Sequence, residues 1–193
     1  MTMKAKILLF AALMLTFTAV NAQRSRPFAK GDNIFNFGIG FGSLLHPGNF
    51  YKTTLTPVSI SYEHVMQDGM IDGNAAWGIG GFFGYSSSKW EDSYWGGKYG
   101  WKYSYLVIGP RGTFHYYLAP NLDTYAAVFT GYNIVTANEF GNFPGVDKDN
   151  AVKSSFAFSF ILGARYYLTN NFAAMTELGY GISIVNLGFA LKF

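Results

Sequence analysis

Ser183-Ile184-Val185-Asn186-Leu187-Gly188-Phe189-Ala190-Leu191-Lys192-Phe193 is the stretch on which the fold turns. Val185, Leu187, Phe189, Leu191 and Phe193 fill every second place, and Asn186, Gly188, Ala190 and Lys192 sit between them. A repeat of two residues is the repeat of a β-strand whose two faces meet different surroundings. One face is oily without a break. The other is small or polar and closes on a charge. A soluble sandwich could hold one such strand. A membrane β-barrel needs about eight or more, lipid side outward, with the last strand pairing with the first. The fold therefore depends on how often the pattern recurs.

The 193 residues suffice for one domain. There is no cysteine, which excludes a disulfide framework, thiolate metal sites, a Cys nucleophile and lipidation of an N-terminal Cys. Charged residues make up only 13%, against roughly 25% in an ordinary soluble domain. Aromatic residues are abundant, with 19 Phe and 14 Tyr, and there are 23 Gly. Aromatics favour strands and membrane interfaces, and Gly relieves crowding inside a narrow barrel.

Residues 1–22 are predicted to be a cleavable secretory signal peptide. Lys4 and Lys6 form its basic start, and Ile7 to Val20 is apolar but too short to span a bilayer as a helix. Val20-Asn21-Ala22 suits a signal peptidase, with cleavage before Gln23. Taking Lys4 and Lys6 from the 14 cations leaves 12 against 11 anions. The basic balance thus belongs to the leader and argues for no nucleic-acid partner.

The alternation recurs along the rest. Asn33 to Gly42 sets Phe35, Phe37, Ile39 and Phe41 against Asn36 and three glycines. Thr56 to Met66 alternates Val58, Ile60 and Tyr62 with Ser59, Ser61 and Glu63. Ala75 to Tyr85 sets Trp77, Ile79, Phe83 and Tyr85 against Gly78, Gly80, Phe82 and Gly84. In Trp101 to Leu118, Leu106, Ile108, Phe114 and Tyr116 share one face, and Arg111, Thr113 and His115 the other. Asp123 to Val135 leaves its facing open, since Tyr125, Ala127 and Phe129 oppose Ala126, Val128 and Thr130. Ser154 to Leu168 carries Phe156, Phe158, Phe160 and Leu162 outward, with Ser155, Ser159, Gly163 and Arg165 inward. Phe172 to Tyr180 sets Phe172, Ala174 and Leu178 against Ala173, Met175 and Glu177. With the final stretch there are eight strands. Residues 43–54, 86–100 and 136–153 read as longer connections, the second as a surface loop or strand extensions. Asp-Gly at 68–69 and 72–73, Pro120-Asn121, Thr169-Asn170-Asn171 and Gly181-Ile182 mark tight turns.

The prediction is an all-β chain: an eight-stranded antiparallel up-and-down transmembrane β-barrel over 33–193, after the signal peptide (1–22) and a polar periplasmic lead-in (23–32). A lipocalin-type soluble barrel also has eight strands, but its interior is oily and its exterior charged. Here the non-oily face carries Glu63, Arg111, Arg165, Glu177 and Lys192. These five are expected to pair across the lumen as a structural network, because unpaired charges in a narrow barrel are costly. The lumen should then be filled rather than open.

On these residues the chain resembles the small outer-membrane β-barrel proteins, the group of outer membrane protein X and the membrane domain of outer membrane protein A. Asn186 to Phe193, Gly179-Tyr180-Gly181 and the strand-turn-strand from Gly109 to Tyr125 carry the likeness. The resemblance implies a Gram-negative outer-membrane location, surrounded by membrane lipids and lipopolysaccharide. It also implies that terminal Phe193 is part of the signal read by the outer-membrane assembly machinery. Such barrels include adhesins, anchors, small-solute channels and lipid A-modifying enzymes, so fold alone does not choose among them.

No catalytic motif is legible. His46, His64 and His115 are the only histidines, and none lies in a metal-binding spacing. There is no Gly-x-Ser-x-Gly elbow, phosphate loop or His-x-Ser pair. No cofactor or metal is expected. The leading expectation is a non-enzymatic barrel with a structural role, or one that touches extracellular protein or glycan through its loops. One alternative is a narrow channel for small or hydrophobic solutes, like outer membrane protein W, with an apolar opening near Phe82. A lipid A-modifying enzyme is the other.

Overall fold

The computed structural model describes residues 26–42, 51–94, 97–141 and 153–193. The expected signal peptide and the loop holding His46 fall outside them. Eight antiparallel strands close into one barrel in chain order. They are β1 (Asn33–Phe41), β2 (Lys52–Gly69), β3 (Ala75–Tyr94), β4 (Gly97–Ala119), β5 (Leu122–Phe140), β6 (Ser155–Tyr167), β7 (Phe172–Gly179) and β8 (Val185–Lys192). Closure runs through β1 and β8, where Phe37 faces Phe189 and Asn36 faces Ala190. With β1 also paired to β2, no strand is left as an open edge.

The two faces fall as the alternation predicts. Phe158, Phe160, Leu187 and Phe189 are 41–56% exposed on the outer wall, whereas Arg165 is 0% and Glu177 4% exposed in the lumen. An apolar exterior of this extent would aggregate in water and is at home in hydrocarbon. The sheet also answers the bilayer's other demand, because every spanning strand has hydrogen-bonded neighbours on both sides. The facing that the sequence left open in β5 is settled by register. His115 opposes Tyr125, and Arg111 opposes Phe129, so Tyr125, Ala127 and Phe129 turn inward and Ala126, Val128 and Thr130 outward.

One open alternative is decided and two expectations need correction. Residues 86–100 are mostly strand, since β3 runs to Tyr94 and β4 starts at Gly97. The extension is held by packing: Ser86, Ser87 and Ser88 are buried, with Tyr103 and Tyr105 on the facing strand also buried. The connection read as a two-residue Gly181-Ile182 turn spans 180–184, and Ile182 folds into the barrel, where apolar side chains receive it. The lead-in is not merely solvated either. Phe28 is buried among Ile34, Val65, Ala76, Tyr167, Ala173 and Ala190, closing the end of the barrel where β1 begins and β8 ends.

The wall is uneven in height. β2 to β5 have 18 to 23 residues each, whereas β1, β7 and β8 have eight or nine. At the low end, β2 and β3 are joined through Met70–Gly73, where Ile71 and Asp72 take positive φ of 48° and 55° between Gly69 and Gly73. The two Asp-Gly pairs supply the glycines this turn needs.

Gly80 lies on the inner face, and a Cβ there would sit 1.8 Å from the carbonyl oxygen of Tyr62. Gly80→Ala should lower the temperature of heat-modified gel migration, at about 1–3 kcal/mol for overpacking. Gly112→Ala, where a Cβ meets nothing within 4 Å, should leave it unchanged.

Candidate functional site

The lumen is filled in three layers. The lowest is the apolar plug around Phe28. The middle layer is ionic. Arg165, from β6, donates from Nη1 to Asp123 Oδ2 and from Nη2 to Glu63 Oε2, both at 2.8 Å. Its Nε donates to Asn36 Oδ1 at 2.9 Å, so a single side chain joins β1, β2, β5 and β6. His115 stands between the same two carboxylates, with Nδ1 2.8 Å from Asp123 Oδ1 and Nε2 against Glu63 Oε1. Beside this group, Arg111 Nη2 donates to Glu177 Oε1 at 2.6 Å, and the Tyr125 hydroxyl donates to the same oxygen at 2.8 Å. Asn186 Nδ2 reaches Glu177 Oε2 at 3.3 Å.

The Tyr125 ring lies between the two groups, with the Arg165 guanidinium 4.2 Å and that of Arg111 5.6 Å from its centre. Gly163 makes room for that ring, since a Cβ there would lie 2.2 Å from it. Burial of so many charges is tolerable because nearly every one is paired and hydrogen-bonded.

Of the five charges picked out in sequence, Glu63, Arg111, Arg165 and Glu177 lie in this layer. Glu63 and Glu177 do not meet; each answers a different arginine. Lys192 does not join them. It ends β8 at the low rim, where Nζ is 3.4 Å from Asp32 and donates to the Pro27 carbonyl at 3.2 Å. Phe193 lies outside, 63% exposed, its ring stacked on Phe35 at 5.7 Å. Sequence reasoning passed over Asp123 and treated His115 only as an inward residue. The signal for both was their parity with Arg111 and Tyr125 once the facing of β5 is known. His64 turns outward, as its place after Glu63 requires, and lies 3.0 Å from Asn33 Oδ1.

The uppermost layer is apolar again. Phe82, Val107, Phe129 and Ile182 pack together around a cavity of about 340 Å³ whose floor includes Glu177 and Asn186. The Oδ1 atoms of Asn133 and Asn186 line it without a protein partner. On this side the wall is low. β6 pairs with β7 only up to Ile161 opposite Gly179, so Ser155 to Phe160 rise above β7.

Chemically, the ionic layer is a clamp. Glu63, His115 and Asp123 converge, but Arg165 occupies both carboxylates, and no group arranged to hold a metal ion occurs among the described residues.

Removing one partner should cost more than removing both. Arg111→Met leaves Glu177 facing only Tyr125 and Asn186 and should destabilise by about 3–5 kcal/mol, whereas Arg111→Met with Glu177→Leu should recover much of that loss. Urea unfolding of the reconstituted variants, followed by gel migration, measures the difference.

No protein-family model matches the chain, and no curated protein matches it in sequence. Solved structures do. The outer membrane protein OprG from Pseudomonas aeruginosa is similar with a TM-score of 0.55 at 12% identity, over 88% of this chain and 99% of that one. Ail, the attachment invasion locus protein of Yersinia pestis, in complex with the heparin analogue sucrose octasulfate, gives 0.47 at 14% identity, over 85% and 99%. The N-terminal barrel domain of Pseudomonas aeruginosa OprF gives 0.44 at 14%, over 86% and 98%. The comparison with OprG carries the fold: this chain has the architecture of a small outer-membrane β-barrel.

Proposed function

We propose that the chain is a non-enzymatic integral protein of a Gram-negative outer membrane, closed through its middle and working through the part of its wall that rises above the bilayer. The observation that carries this reading is the ionic layer itself. Arg111, Arg165, Glu63, Asp123 and Glu177 pair across the lumen from wall to wall, and none is more than 4% exposed. Below it Phe28 forms a second stopper. Outside, the apolar belt fits the hydrocarbon, and membrane lipids and lipopolysaccharide are its neighbours. β3 and β4 extend furthest beyond the short strands and carry Trp90 and Tyr99, whose rings meet edge to face at 5.9 Å. Such a platform suits contact with an extracellular protein or glycan. Phe193, on the outer face beside Phe35, is assigned to recognition by the assembly machinery, following a signal peptide over 1–22.

A second reading is favoured by the upper cavity. Its walls are apolar and it adjoins the low wall above β7, so a small hydrophobic molecule could enter from the membrane side and rest above the ion pairs. Filling the cavity with Ile182→Trp should then lower binding of an apolar fluorescent probe by about tenfold or more, the effect of losing an apolar side chain's burial. An unchanged affinity removes this reading.

The leading reading is tested by planar-bilayer recording. The reconstituted chain should show no steady conductance on the nanosiemens scale, and lipid A mass profiles should be the same with and without it. A stable open pore, or a modified lipid A, overturns the closed or the non-enzymatic part respectively.

A further inference from the structure

Three lysines stand side by side on neighbouring strands. Register places Lys52 of β2 opposite Lys89 of β3, and Lys89 opposite Lys102 of β4. They belong to the outer face. Lys89 follows Phe83, Tyr85 and Ser87 in steps of two, and Lys102 precedes Ser104, Leu106 and Ile108 in the same way. Like charges directly opposite on adjacent strands oppose pairing. Here two such contacts are consecutive, in a chain otherwise poor in charge.

Among the described residues, carboxylates on this face do not balance them. Glu91 accepts from Lys89 at 2.8 Å and from Lys98 at 3.0 Å. Those hydrogen bonds hold its carboxyl below the usual carboxylate range, to about 2. Asp92 turns to the other face and accepts from the Tyr99 hydroxyl at 3.3 Å. Among the described residues, four ammonium groups therefore meet one carboxylate on this face.

Position selects the partner. The apolar belt ends at Tyr85 and Leu106. Lys89 and Lys102 lie four residues further along, about 13 Å of strand, which on the outer-membrane reading is the depth of lipid headgroups. They stand on the same outer face as that belt. Adjacent strands are about 4.8 Å apart, so one phosphate group comes within reach of two ammonium groups.

We infer that Lys52, Lys89 and Lys102 form a binding row for the phosphate groups of phosphorylated glycolipids in the outer leaflet. The inference rests on the outer-membrane reading above, with the β3–β4 end outside. The row's mutual repulsion is relieved when the phosphates arrive, so lipid and barrel stabilise each other.

The chain and its Lys52→Gln/Lys89→Gln/Lys102→Gln variant are reconstituted in vesicles of phosphatidylcholine, alone or with lipopolysaccharide. Heat-modified migration and retained glycolipid are read. The parent should gain heat resistance with lipopolysaccharide, and the triple variant should lose most of that gain and retain about tenfold less glycolipid or lower still. In phosphatidylcholine alone the variant should be at least as heat-resistant as the parent, which separates lost lipid binding from lost folding. Lys30→Gln, at the opposite end, should behave as the parent. A triple variant that keeps the full gain overturns the proposal. So does an equal gain from inorganic phosphate in phosphatidylcholine vesicles, which would assign the row to free anions. A parent chain that fails to insert at all strikes the barrel reading itself, and the row falls with it.

Discussion

The structure depends on the clamp that Arg165 makes between Glu63 and Asp123. Its guanidinium forms three hydrogen bonds to three different strands besides its own. A planar fork with fixed donors suits that task, and a lysine ammonium would not reproduce it. The carboxylates it holds also face His115, so the four groups are satisfied together or not at all. A narrow lumen leaves them no water to fall back on, and a half-satisfied network would be worse than an apolar core. The small inner-face residues around them follow from this. Asn36, Ser61 and Gly163 are small because the arginines and Tyr125 fill the width between them.

Layering explains why the barrel is closed without being solid. Apolar plugs lie above and below the ionic layer, and each is built partly from a segment outside the regular sheet. Phe28 comes from the lead-in, and Ile182 from the connection between β7 and β8. The lower plug is tight, with most of its members at or near zero exposure. The upper one leaves a cavity because the wall above β7 is short and β6 keeps only β5 as a strand neighbour there. The same shortness leaves β2 to β5 to make most of the surface beyond the bilayer.

Most of the barrel was legible because membrane strands report their two solvents at every second residue. Phe158, Phe160, Leu187 and Phe189 had no other reason to alternate with Ser159, Arg165 and Asn186. Where both faces are similar, as with Ala126 and Val128 against Ala127 and Phe129, alternation carries no sign, and only register with Arg111 and His115 supplies it. Glu63, Arg111, Arg165 and Glu177 were legible as inner charges, but not their pairing, because partners up to 102 residues apart leave no trace in local pattern. Lys192 was misplaced for a related reason: parity gives a residue's face and says nothing of its height. Phe28 and Ile182 were missed because they lie outside strands, where no periodicity marks an inward side chain. Ser86 to Ser88 read as loop because their polarity was taken for solvent exposure, whereas Tyr103 and Tyr105 bury them.

The distances in sequence also bear on how the barrel settles into one register. Glu63 and Arg165 meet only when β2 and β6 are already held on opposite parts of a nearly closed sheet, so the network cannot nucleate pairing. What it does is discriminate at the end. A slip of one residue in β2, β4, β5, β6 or β7 would turn its lumen charge into hydrocarbon and its apolar outer face into the ionic layer. Hydrophobic matching alone penalises that error along each strand, and the buried charge adds a cost concentrated at one residue. With a charge on each of β2, β4, β5, β6 and β7, most strands carry their own register check. β1 carries none, and its place is fixed instead by Asn36, which accepts from Arg165 and donates to Ser61 at 2.8 Å. The seam that closes the barrel is thus checked by a polar residue that bonds the clamp itself.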